Sequence, residues 1–130
     1  MKSYKNRTPR KAVIIVGHGS MMKGFQAAME KVAGKIRRGG EFDFVICAYL
    51  ETTSPSIQQA IDVCVRRRAR KIYVLPYFLL MGMHTQADIP RIVSLARKKH
   101  QGKAKIILCP YIGYHDKIVS VVRQRLREGQ

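Results

Sequence analysis

Apolar residues along this chain fall into two alternating patterns. Four short runs are apolar almost without interruption: 12–16 (Ala-Val-Ile-Ile-Val), 44–50 (Phe-Val-Ile-Cys-Ala-Tyr-Leu), 71–77 and 105–109. Runs of this length, with no polar alternation, predict strands covered on both faces, as in a parallel sheet. Between them the apolar residues recur at three- and four-residue steps. Met22, Phe25, Met29, Val32 and Ile36 predict a first helix that closes near Gly39 and Gly40. Ile57, Ala60, Ile61 and Cys64 predict a second, entered through Pro55 in its first turn. Ile89, Ile92, Val93 and Ala96 predict a third, interrupted early by Pro90, and Ile118, Val119, Val122 and Leu126 a fourth. Strands alternating with helices require crossover connections. The expected fold is therefore α/β: three α/β/α layers around a four-stranded, mainly parallel, Rossmann-like sheet. A length of 130 residues suits one domain. That domain is expected over 11–130, behind a flexible basic tail at 1–10.

This layout gives every loop a side. Segments that follow a strand gather at the carboxyl edge of the sheet, where open α/β folds bind ligands. The first strand empties into Gly17-His18-Gly19-Ser20, in which two glycines allow a sharp turn and a close ligand approach. Ser20 is placed to cap the helix that follows. The motif is neither a dinucleotide fingerprint, which needs a glycine at Met22, nor a P-loop. The third strand empties into Leu79-Leu80-Met81-Gly82-Met83-His84, a loop bringing a second histidine to the same edge. Two neutral imidazoles accept borderline divalent ions such as cobalt, nickel, iron or zinc and leave coordination positions open for hand-over. The second strand ends at Glu51, a carboxylate able to deliver a cation or relay protons. Asp88 is expected to charge the start of the third helix. His100 reads as a solvated turn residue at the far edge, and His115, at the start of the last helix, as an outside candidate.

Charge adds a complication. Twenty-five Lys and Arg against eight Asp and Glu give a formal net charge of +17, a field that attracts polyanions. Most of these cations precede strands, away from the proposed pocket, or follow helices, where the dipole favours them. Only Lys23, Arg91 and Lys117 are expected in first turns at the ligand edge, and these three are the candidates for pairing with substrate carboxylates. Cys47, Cys64 and Cys109 are scattered, with no CxxC pair, which fits reduced thiols in a cytoplasmic protein. No apolar run approaches the ~20 residues of a membrane span.

Three segments carry a resemblance. Val-Gly-His-Gly-Ser at 16–20, Leu-Glu with Ser-Pro-Ser-Ile within 50–57, and Phe-Leu-Leu-Met-Gly-Met-His at 78–84 with Asp-Ile-Pro at 88–90 look like the signatures of the short-form sirohydrochlorin chelatases. These are class II chelatases of cobalamin, siroheme and nickel-tetrapyrrole synthesis. The resemblance spans roughly 11–127, and it is specific because the three segments occur together in this order. It implies a chelatase that inserts a divalent ion into sirohydrochlorin, cobalt foremost, with nickel or iron as alternatives. It implies His18 and His84 as metal ligands, His18 as acceptor of pyrrole protons, and contact of the macrocycle with residues 79–84. Gly19 and Ser20 join the substrate-binding set, and Glu51 the catalytic one. It further implies a homodimer and no organic cofactor. Where the family often carries a second acid three residues after Glu51, this chain has Ser54. Two rival functions follow from composition and chemistry: a basic nucleic-acid-binding module, and a cobalt or nickel carrier without turnover.

Overall fold

β-branched and small apolar residues build four strands: β1 (Arg10–Gly17), β2 (Phe44–Tyr49), β3 (Ala69–Pro76) and β4 (Lys105–Leu108). The computed structural model describes residues 10–130. The expected tail lies outside the described residues except for Arg10, which opens β1. All strand pairs are parallel, in the order β2-β1-β3-β4. Four helices connect and follow them: α1 (Ala27–Arg38), α2 (Ile57–Arg66), α3 (Met83–Lys99) and α4 (Asp116–Glu128). The order makes β1 and β3 neighbours, with Val16 opposite Pro76. After β1 the chain turns toward β2, and after β3 toward β4. The switch point therefore lies between their carboxyl ends.

Alternation along the strands sorts the core into two layers. Ala12, Ile14, Val16, Ile72, Val74 and Ile106 face α2 and α3, meeting Ile57, Ile61, Ile89 and Val93. Val13, Ile15, Val45 and Cys47 face α1, meeting Met29 and Ala33. The second layer is incomplete. α1 lies over β2 and β1, while α4 packs on no other helix or strand of the described chain. An apolar groove of about 320 Å³ stays open beside α1, its lining including Val13, Ile15, Tyr73, Leu75, Cys109 and Ile112.

Three helix starts differ from expectation. α1 begins at Ala27, so Met22 and Phe25 sit in an exposed turn rather than on the helix. Gly24, at φ +80, breaks helical continuity there. Ser20 Oγ accepts from the Met22 N–H at 3.0 Å and so caps that turn, not α1. Pro55 precedes α2, whose N-cap is Ser56 with a full capping box to Gln59. α3 begins at Met83 and runs through Pro90. Pro90 forfeits one helical hydrogen bond, but it sits on the exposed face while Ile89, Val93 and Ala96 pack inward.

Candidate metal-binding rim

The loop after β1 is pressed onto the loop after β2 by backbone pairing that outlasts the strands. The Leu50 N–H donates to the Gly17 carbonyl and the Glu51 N–H to the His18 carbonyl, each at 3.1 Å. Gly19 makes this approach feasible. It adopts φ +99, and a Cβ there would stand 1.9 Å from the Glu51 carbonyl oxygen. Thr53 completes the clamp: its Oγ1 accepts from the Ser20 N–H at 3.1 Å and donates to the Ser20 carbonyl at 3.0 Å.

This clamp sets His18 against Glu51, with Nε2 and Oε1 2.8 Å apart and both side chains more than half exposed (57% and 59%). In the neutral ring the Nε2–H donates to the carboxylate, which leaves the Nδ1 lone pair free. A carboxylate that receives an imidazole N–H in this way fixes the tautomer and the orientation of the ring as a metal ligand. The pairing of His18 with Glu51 was not foreseen, although both residues were singled out separately. Thr53 carried no signal at all, because its role depends on the β1–β2 register.

The segment after β3 continues along the same rim. The Tyr77 N–H donates to the Val16 carbonyl at 2.8 Å, and the Gly113 N–H to the Phe78 carbonyl at 3.0 Å. Leu79, Leu80 and Met83 are exposed, whereas Met81 packs against the core. Gly82 is the N-cap of α3, and Gln86 Nε2 donates to the Met81 carbonyl at 3.3 Å. His84 is thus an exposed residue of the first turn of α3, not of a loop. The amino end of that helix favours negative charge. No hydrogen bond or ion pair engages the His84 ring among the described residues, and none links it to His18. No group of three or more His, Cys, Asp or Glu comes together there either.

The remaining candidates separate. Lys23 stands exposed in the turn after Ser20. Arg91 lies in the third turn of α3, about 12 Å along the axis from its start, and pairs with Asp88 at 2.7 Å. Neither Arg91 nor Asp88 belongs to the first turn, because α3 starts six residues earlier than its apolar repeat suggested. His115 is the N-cap of α4, its Nδ1 accepting from the Lys117 N–H at 3.0 Å. His100 is not solvated: it is 7% exposed, with Nε2 2.7 Å from Asp62 Oδ1. Lys99 holds the other Asp62 oxygen at 3.0 Å. Burial pushes the Asp62 carboxyl up, but the hydrogen bonds and charges of Lys99 and His100 outweigh it and hold it below its usual range.

An open parallel sheet carrying a histidine–carboxylate pair at its switch-point rim defines a Rossmann-like α/β protein. A family model described as CbiX matches residues 12–129, and the chain belongs to that family. It is 31% identical over 115 residues to the chloroplastic sirohydrochlorin ferrochelatase of Arabidopsis thaliana, covering 88% of this chain and 51% of that one. It is 32% identical over 117 residues to the sirohydrochlorin cobaltochelatase of Sulfolobus acidocaldarius, covering 90% of each. Among solved structures, the sirohydrochlorin chelatase SirB of Bacillus subtilis subspecies spizizenii, in complex with cobalt, superposes with a TM-score of 0.82 at 26% identity. That match covers 92% of this chain and 50% of SirB. The first curated relatives are matched over only 51% to 63% of their own length.

Proposed function

We propose that this protein inserts a divalent metal ion into sirohydrochlorin, with cobalt as the first choice and nickel or iron as alternatives. The observation that carries the reading is the exposed His18–Glu51 pair at the switch-point rim, with Nδ1 of His18 left free. The names of its relatives, cobaltochelatases and a ferrochelatase, support the same chemistry.

Metal insertion removes two pyrrole protons as the ion enters the ring. An imidazole serves both halves in turn. While Nδ1 of His18 holds the incoming ion, Glu51 keeps the ring oriented. Once the ion passes to the ring nitrogens, the same lone pair is free to take a proton, and the Glu51 carboxylate stabilises the resulting imidazolium. His84, presented from the start of α3, is the proposed second ligand and the acceptor for the other proton. Gly19, Ser20, Leu79, Leu80, Met81, Gly82 and Met83 are proposed to meet the flat face of the macrocycle. Lys23 is the proposed partner of one of its carboxylates, and Arg91, two turns into α3 and held by an exposed pair with Asp88, is the proposed partner of another.

A homodimer accompanies this reading. α4 places Val121, Val122 and Leu126 in solvent, and the groove beside α1 is apolar and empty of any helix of its own chain. A second copy supplies for each the surface it lacks. The match of this chain to half of SirB fits two units working as one. Unpaired thiols at Cys47, Cys64 and Cys109 suit a reducing compartment, proposed to be the cytoplasm.

The test is an anaerobic absorbance assay with sirohydrochlorin and cobalt, nickel or ferrous iron in turn. Wild type is expected to shift the tetrapyrrole spectrum, and His18→Ala and His84→Ala to slow the shift by ~10²-fold or more. Insertion at wild-type rates in both variants would sink the mechanism. Stoichiometric metal uptake with no spectral shift would instead make the chain a carrier.

A further inference from the structure

The opposite edge of the sheet carries an arrangement that metal insertion does not use. Lys11 on β1 is the register partner of Lys71 on β3, and Lys71 is that of Lys105 on β4. Register partners on adjacent strands share a face and lie ~5 Å apart, and like charges in that relation are destabilising. Three lysines therefore stand in a row at a cost to stability, where alternating signs would have helped. None of them forms an ion pair among the described residues. Residues 1–9 contain no Asp or Glu that could neutralise them. Asp43 accepts from the Lys11 backbone N–H, not its ammonium, and Asp62 is taken up by Lys99 and His100. Beside the row opens a cleft of about 460 Å³, lined by Arg70, Lys71, Gly102, Lys103, Ala104 and Lys105.

We propose that this amino edge is a docking surface for the phosphate backbone of a duplex nucleic acid, bound without regard to sequence. The row extends ~10 Å across three strands, wider than one anionic group, so it calls for a ligand that repeats its charge. Ala104 is the one apolar side chain in the cleft's lining, and none of its lining residues is aromatic. It thus offers neither the buried anchor that a protein partner needs nor an apolar face to enter a lipid headgroup layer. A single strand would want free rings on which to stack bases. At this edge Phe44 is covered by the guanidinium groups of Arg10 and Arg67, at 5.6 and 5.4 Å, and Phe42 packs edge-on against Tyr73. What is left is a contact of cations with phosphates, spread across a rigid edge and remote from His18 and His84.

Fluorescence anisotropy with a labelled duplex oligonucleotide of arbitrary sequence tests this, titrated between about 50 and 200 mM salt. The logarithm of affinity is expected to fall linearly with that of salt, by about 0.9 per phosphate contacted. The pair Lys71→Glu and Lys105→Glu should weaken binding at least ~10-fold and flatten the slope by about two, while cobalt insertion stays at its wild-type rate. Lys71→Gln with Lys105→Gln removes the charges without reversing them and gives the same readout should the reversal disturb the β3–β4 edge. His18→Ala should bind the duplex as tightly as wild type. Unchanged duplex affinity in the lysine variants overturns the proposal, as does tighter binding to single-stranded oligonucleotide or to phosphatidylserine vesicles than to duplex.

Discussion

At residue 19 the absence of a side chain decides whether the rim can assemble. The Cβ of an alanine would overlap the Glu51 carbonyl at 1.9 Å, in a backbone conformation that L-residues avoid. Nothing comparable constrains Gly82, which has an ordinary φ and open space around it. Gly19→Ala is expected to lower stability by about 2–4 kcal/mol, strain and overpacking together, whereas Gly82→Ala should stay within about 1 kcal/mol of wild type. Thermal or urea unfolding of the two variants side by side checks this, and equal losses would remove the clamp from the account. Glu51→Gln keeps the shape of the carboxylate but removes its charge from His18. Cobalt affinity and insertion rate are expected to drop ~10–100-fold, as for other partners that orient a metal-binding histidine, with no change in unfolding midpoint. His18, Glu51 and His84 were legible in the sequence because each follows a strand-like run. Thr53 was not, because it acts only through loops brought together by strand register.

At the scale of elements, the middle of α2 is joined to the carboxyl end of α3 by a polar cluster inside an otherwise apolar contact. Asp62 receives Lys99 and the nearly buried His100, whose Nδ1 has no partner among the described residues. The Asp62 carboxyl titrates below its unfolded value, so its contribution to stability is complete above about pH 4 and fades as pH falls through the lowered folded value. Asp62→Asn is expected to cost about 1–3 kcal/mol at neutral pH. The gap from wild type should hold down to about pH 5 and close as the medium becomes more acidic. Urea titrations at stepped pH measure it, and a gap that widens in acid would contradict the assignment. The polar run at 98–101 concealed this role, since Asp62 lies 38 residues away from His100 and meets it only through helix packing. The sequence pattern located all four helices but misplaced the starts of α1 and α3, at Ala27 and Met83, and set Pro55 inside α2 rather than before its Ser56 cap. Helix ends are set by turn residues such as Gly24 and by caps such as Gly82, whereas the repeat reports only which face is buried.

For the whole molecule, the uncovered part of the sheet and the unpacked α4 make self-association the central expectation. If α4 fills the groove of a second copy, then Val122→Asp with Leu126→Asp should give a monomer by light scattering. It should also abolish the concentration dependence of the melting temperature. Were α4 instead to fold onto its own chain, the same variant would lose stability without any change in mass. The charge divides along the same axis as the chemistry, with His18, Glu51 and His84 at the carboxyl edge and the lysine row at the amino edge. Each surface can therefore be altered without touching the other.

The chain's local patterns were enough to determine four parallel strands, four helices and the edge at which each loop emerges. Unbroken apolar runs and a 3.6-residue repeat are properties of neighbouring positions, and they survive in the linear order. The His18–Glu51 pair, the Asp62–His100 contact and the alignment of Lys11, Lys71 and Lys105 joined residues more than thirty positions apart. Strand order and register brought those groups within reach, and α4 stood clear because no surface of its own chain met its apolar side. Such outcomes depend on which distant segments share a boundary, and only the folded sheet decided that.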